Sequence, residues 1–218
     1  MDARTEGLVV YGDYTCALCY LLESMLAELE RAGMAVERAG LETRPVPQPL
    51  PAPADEDVLG HWHDVVEPAA RRLGAELNVP PVWPRTRKAH ELAMFAREQG
   101  RFPATHAALY RAFFAEGRDI GRIDVLTEIA AELGLDADAA HMALGVDRHA
   151  EDVVRAAAEA RERGVDRLPT IRRGTELLVG LPSPQQLRAF AHGEPASADG
   201  AGHGATGTAE SGRGRRQL

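Results

Sequence analysis

The order of apolar and polar residues along this chain changes period several times. Leu8 to Tyr11 is a short unbroken apolar run, the mark of a buried strand, and a turn at Gly12-Asp13 follows. From there Leu18, Leu21, Leu22, Met25, Leu26 and Leu29 recur at helical spacing, with Glu23, Glu28, Glu30 and Arg31 on the other face. Gly33 fits the end of that helix. Met34 to Leu41 reads as a second strand, which a right-handed crossover would lay parallel to the first. Pro45, Pro47, Pro49, Pro51 and Pro53 then fall on alternate positions. This stretch must be extended and is unable to join a sheet interior. It reads as a connector leaving the sheet; a wall of a substrate groove or a ligand for a proline-binding domain is the other reading.

From Asp55 to about Arg163 the pattern is helical throughout. Segments 57–77, 86–99, 104–116, 122–133, 136–144 and 147–163 are separated by Gly, Pro or Asn-Val-Pro-Pro punctuation. Such a block inside a β-α-β chain reads as an inserted helical subdomain. Strands return with Leu168 to Ile171, a turn over Arg172 to Thr175, and Glu176 to Val179, together a hairpin. Ser183-Pro184 opens a last helix as N-cap and first residue. From Gly193 onward Gly, Ala, Ser and Thr leave little to bury, and we read 193–218 as a disordered tail.

The two cysteines of the chain, Cys16 and Cys19, stand together where the first strand passes into its helix. A Cys-x-x-Cys pair at such a junction is the thioredoxin-type redox signature. Unpaired N–H groups and the macrodipole favour an anion at a helix start. Thr15 is the expected N-cap, which puts Cys16 at the first helical position. Residues three apart share a face, so Cys19 reaches Cys16. Cys16 is then the attacking thiol and Cys19 the resolving one. Half of a zinc site and two incidental cysteines are the alternatives, and the first would need two further ligands.

Composition narrows the setting. An apolar content of 44% supports a packed core, and a net charge of −8 argues against a general nucleic-acid binder. No apolar run approaches the length of a membrane span. Met1 to Glu6 is polar and leaves no room for a secretion signal before the first strand, so a cytoplasmic protein is expected. Thiols are kept reduced there, which favours a catalytic or redox-sensing pair over a structural staple.

Other candidates rank lower. His61 and His63 lie two apart, on different faces of a helix, and no metal is expected. His90 sits among Leu92, Met94 and Phe95 and reads as a packed or capping histidine. Trp62 and Trp83 read as packing for the insertion. Asp13 is near enough to Cys16 to move protons for it, to raise its pKa as a like charge, or to be a plain turn residue.

The order strand, Cys-x-x-Cys helix, strand, helical insertion, Leu-Pro-Thr hairpin and helix resembles the DsbA-type branch of the thioredoxin superfamily. It is most similar to the FrnE-like group, a neighbour of the 2-hydroxychromene-2-carboxylate isomerases. The segment Asp13 to Tyr20 carries the likeness, with Arg87 to Leu92, Ala112 to Ile120 and Gly164 to Thr170. The resemblance covers roughly residues 7 to 190. It implies an α/β, thioredoxin-like fold with an inserted all-helical subdomain. The thioredoxin-like domain would be discontinuous, 1–56 and 150–192, around an insertion at 57–149. It also implies a cis Pro169 facing the cysteines, with Leu168 and Thr170 flanking a mixed disulfide. Leu168, Pro169, Thr170 and Asp13 are the expected substrate-binding residues.

The sequence departs from that group in three places. Ala17-Leu18 stands between the cysteines where Pro-Trp or Pro-His is usual, which implies less oxidising power than in a periplasmic DsbA. Cys16 stands where the isomerases typically carry Ser. Arg85-Thr86 precedes the Ala-His helix in place of Asn-Thr. The expectation is a thiol–disulfide oxidoreductase with no bound cofactor, glutathione being a candidate co-substrate. Its partner would be a disulfide-containing protein or a small-molecule thiol, with no nucleic acid or membrane involved. A glutathione-dependent isomerase or transferase is the alternative, and monomer or homodimer is left open.

Overall fold

A computed structural model describes residues 7–52 and 54–194. The expected disorder of 193–218 lies almost wholly outside the described residues, as does Pro53. Four strands form one sheet in the order β2-β1-β3-β4. The apolar run becomes β1, Leu8–Gly12, near the sheet centre. β2, Val36–Gly40, lies parallel to it with Leu8 opposite Val36 and Gly12 opposite Gly40. β3, Thr170–Arg173, runs antiparallel with Thr170 opposite Tyr11, and β4, Glu176–Val179, completes the hairpin. The turn is therefore only Gly174-Thr175. Arg172 and Arg173, expected in it, are strand residues because the ladder with β1 extends to Leu8.

The period of two along β1 divides its side chains between two layers. Leu8 and Val10, with Ile171 of β3, face α1, Ala17–Arg31, and α9, Pro184–His192, through Leu22, Met25, Leu26 and Leu187. Ser183 caps α9 with a complete capping box to Gln186. Tyr11 faces the other way, onto Leu41 and onto Ala157 and Ala160 of α8, Ala150–Glu162.

Between the proline-rich stretch and α8 the regular elements are helices. α2, Glu56–His61, runs through a π-helical turn, Trp62–Val66, into α3, Glu67–Leu73. The run expected over 57–77 ends early because Gly74 takes a left-handed φ of 64°. Then come α4, Arg87–Glu98; α5, Phe102–Phe114; α6, Ile123–Glu132; and α7, Ala137–Gly145. Their apolar faces meet in one cluster around Leu92, Phe95, Leu109, Phe113, Leu126 and Leu144. Tyr14, Ala17 and Cys19 belong to the same cluster. The start of α1 is thus wedged between the sheet and the helical layer.

The proline-rich stretch departs from expectation in one respect. It stays out of the sheet, but a turn closes at Pro45 to Gln48, where Gln48 N–H donates to Pro45 O at 2.8 Å. Alternate prolines forbid a helix and a ladder, yet each fixes only its own φ and leaves room for a turn. The Val46-Pro47 bond is cis.

Candidate active site

Cys16 itself, and not Thr15, is the N-cap of α1. Its backbone is extended, its N–H donates to Asp13 O at 3.0 Å, and its carbonyl accepts Tyr20 N–H at 3.1 Å. The Cys16 Sγ takes the place of a capping oxygen, accepting the Cys19 backbone N–H at 3.1 Å. No acidic residue occupies the first turn of α1. A negative charge on Cys16 therefore meets a donor and the positive end of a helix, the arrangement that lowers a thiol's pKa. Cys16 and Cys19 are joined as a disulfide, Cα atoms 5.2 Å apart. Cys16 is half-buried, whereas Cys19 is only 3% exposed.

Cys16 opens on a cavity of about 560 Å³. Leu18, Trp62, Val66, Trp83 and Leu168 give it an apolar wall, and Thr43, Arg44, Gln48 and Pro51 close another side. The guanidinium of Arg85 donates to Arg44 O at 2.8 Å and to Gln48 O at 2.9 Å, which ties the proline-rich turn in place. Trp62 is buried by the π-helical turn and stacks on Phe114. The indole Nε1 of Trp83 is buried with no hydrogen-bond partner.

The four residues expected to bind substrate separate into two kinds. Leu168 stands on the cavity wall with Cys16. The Leu168-Pro169 bond is cis, and Pro169, one residue before β3, stands at the same sheet end as the cysteines because Thr170 is opposite Tyr11. Thr170 is fully buried and its hydroxyl donates to Arg167 O at 2.7 Å, so its side chain turns away from the cavity. Asp13 is 1% exposed and serves as an internal anchor rather than an open wall. One carboxylate oxygen accepts the Thr43 N–H at 2.8 Å and the Thr43 hydroxyl at 2.5 Å. The other lies 3.3 Å from His90 Nε2. Burial pushes the Asp13 carboxyl up, but the hydrogen bond and charge of His90, with the Thr43 and Thr86 hydroxyls, outweigh it and hold it below the usual carboxylate range.

Several site residues were not anticipated. Trp62 and Trp83, read as packing, line the cavity beside Cys16; Gln48 and Pro51 make the proline-rich stretch one of its walls, the alternative reading of that stretch. His90 is packed, as expected, and is also the charge partner of Asp13. His61 borders the cavity while His63 turns to Glu67, so the two imidazoles part. Among the described residues no group of three His, Cys, Asp or Glu is placed to hold a metal.

The model of a DSBA-like thioredoxin domain matches residues 7–190. A Bacillus subtilis (strain 168) protein, the uncharacterised YwbO, is 32% identical over 182 residues, spanning 81% of this chain and 90% of its own. A probable DsbA oxidoreductase from Streptomyces coelicolor superposes with a TM-score of 0.73 at 23% identity, over 95% of this chain and all of that one. A 2-hydroxychromene-2-carboxylate isomerase superposes with 0.70 at 19% identity, over 84% and 91%. The cytosolic disulfide reductase DsbM from Pseudomonas aeruginosa, solved with GSH, gives 0.61 at 24% identity, over 84% and 96%.

Proposed function

This chain belongs to the DsbA-like thioredoxin family, and from that premise we propose that it is a thiol–disulfide oxidoreductase acting through Cys16 and Cys19. The observation that carries the reading is the asymmetry of the pair. Cys16 caps α1 and faces a cavity, and Cys19 lies buried behind it within bonding reach. In the reducing direction the Cys16 thiolate attacks a substrate disulfide and one substrate sulfur leaves as a thiolate. Cys19 then loses its proton and attacks Cys16 Sγ. The Cys16–Cys19 bond forms, the bond from Cys16 to the substrate breaks, and the second substrate sulfur departs. Two electrons pass from the dithiol to the substrate. No bound cofactor enters these steps. Leu168, Trp62 and Trp83 would seat the apolar flank of the substrate.

A cytoplasmic setting is part of the proposal. It agrees with the absence, among the described residues, of a helix long and apolar enough to cross a membrane, and with the cytosolic disulfide reductase among the similar structures. Glutathione or a protein disulfide is the proposed partner. A glutathione-dependent isomerase would have no use for a resolving thiol, and the intact Cys19 favours exchange. Reduction of insulin, with glutathione or a dithiol as electron donor, tests the reading. Turnover that depends on Cys16 is expected, and no turnover of any disulfide with either donor would overturn it.

A further inference from the structure

Cys19 faces a problem that Cys16 does not. A buried thiol gives up its proton less readily than an exposed one. The proton of Cys19 must nonetheless leave before Cys19 can resolve a mixed disulfide.

Behind Cys19 lies a second cavity, of about 360 Å³, which Tyr14, Glu23, His90, His106 and Tyr110 share with it. Polar side chains line part of it, and a space of that size has room for water. Gly12 keeps the way open: a Cβ there would stand 3.0 Å from Tyr110 Oη and 3.6 Å from Cys19 Sγ. Tyr110 is 2% exposed and lines the cavity. It is a buried polar group aimed into the cavity beside the sulfur.

The cavity leads to a chain of three side chains. Tyr14 Oη lies 3.0 Å from His106 Nδ1, and His106 Nε2 lies 3.1 Å from Glu23 Oε1. Glu23 Oε2 accepts from Arg38 Nε at 2.8 Å. Burial pushes the Glu23 carboxyl up, yet His106 and Arg38 outweigh it and hold it below the usual range. A carboxylate only accepts, so His106 Nε2 carries the proton that bonds it. In the neutral imidazole His106 Nδ1 is then an acceptor, and the Tyr14 hydroxyl donates to it.

We infer that Tyr14, His106 and Glu23 form a relay that receives the Cys19 proton through water in this cavity, with the Tyr110 hydroxyl holding that water. The inference rests on the dithiol chemistry proposed above. When Cys19 attacks, its thiol proton passes to water and a water proton passes to Tyr14 Oη. The Tyr14 proton moves to His106 Nδ1, and the imidazolium is paired with Glu23. The Cys19 thiolate forms the bond to Cys16 Sγ, and the substrate sulfur leaves with the electron pair of the broken bond. The imidazolium returns its proton to solvent. Charged and titratable groups around His106 are Glu23 from α1, Arg38 from β2, Arg97 from α4 over the Phe102 ring, and Tyr14 and Tyr110. His90, bonded to Asp13, lies against the Tyr14 ring.

Stopped-flow reaction of the reduced full chain with the chromogenic disulfide dithiobis-nitrobenzoate separates the two steps. The first nitrothiobenzoate released reports attack by Cys16, and the second reports resolution by Cys19. His106→Gln and Tyr14→Phe should slow the second release about 10²-fold, the low end for a positioned acid–base group, and leave the first unchanged. The pH profile of the second release should change in His106→Gln while that of the first release stays as in wild type. Tyr110→Phe, which removes only the hydroxyl, should slow the second release by a smaller factor and keeps the test available if His106→Gln fails to fold. Equal slowing of both releases, an unchanged second release, or a second-release pH profile that is the same with and without His106, would overturn the relay. Failure of the oxidoreductase reading looks different: wild type would then turn over no disulfide with either electron donor, and the relay would fall with it.

Discussion

The two sulfurs of one disulfide face opposite kinds of surroundings. Cys16 looks onto a wall made largely by loops and a π-helical turn: Thr43 to Pro51, Trp62, Trp83 and Leu168. Cys19 looks onto the turn before α1 and onto helices α1, α4 and α5, whose polar side chains are held by one another in the interior. Apolar contact on the first side is non-directional and accepts substrates of varied shape. On the second side a low dielectric makes every missing partner costly, so the arrangement is fixed. One side is built for variety and the other for a single repeated event.

The strongest way to break the comparison is to remove the sulfurs one at a time. Cys16→Ser should abolish turnover, whereas Cys19→Ser should accumulate a mixed disulfide on Cys16, read by mass spectrometry. Adducts found on Cys19 instead would reverse the two roles. Next in size is the inner anchor. Asp13→Ala leaves His90 and the Thr43 N–H without their partner and should cost about 3–5 kcal/mol of unfolding free energy. Denaturant titration measures it, and a loss below about 1 kcal/mol would show that the buried pair contributes little. The same carboxyl sets a pH dependence. Its folded pKa is depressed, so its contribution is complete above the unfolded value of about 3.9 and is lost as pH falls through the lower folded value. Wild type should therefore lose stability progressively below that pH, and Asp13→Asn should flatten the slope.

Changes on the outer side should be milder and should appear in substrate binding. Leu168→Ala removes part of a half-buried apolar contact, worth about 1 kcal/mol, and should raise KM for a protein disulfide about fivefold with Tm nearly unchanged. An equal effect on stability would mean that Leu168 is core and not wall. Smallest is Arg85→Ala. Its two bonds to the proline-rich turn are exposed, and their loss should cost about 0.5 kcal/mol, seen as faster proteolysis near residues 44–51 and a slightly higher KM.

Much of the fold was legible along the chain because helices and strands announce themselves through neighbours. The apolar faces of α1, α4 and α5 repeat every three or four residues, and Gly33, Ser183 and Pro184 mark ends by local backbone preference. The identity of the cap of α1 was off by one residue, since Thr15 and Cys16 both carry a side chain able to accept an N–H. Trp62 and Trp83 were read as packing because an aromatic residue in a helical run looks the same whether it meets core or cavity. Nothing in the spacing around His106 sets it apart from any histidine on a half-polar helix face.

The chain order alone determined the sheet's first crossover, the helical insertion, and the placement of both cysteines where β1 meets α1. These depend on interactions within a few residues. Only the tertiary structure decided that Asp13 is an anchor rather than a wall, because its partners Thr43 and His90 lie 30 and 77 residues away. The same holds for Tyr14 and His106, 92 residues apart, and for Leu168 on the wall with Cys16. Such contacts come from the packing of the helical layer against the sheet, which no local period records. The chemistry of the two sulfurs was therefore written in four adjacent residues, and their different surroundings in the fold as a whole.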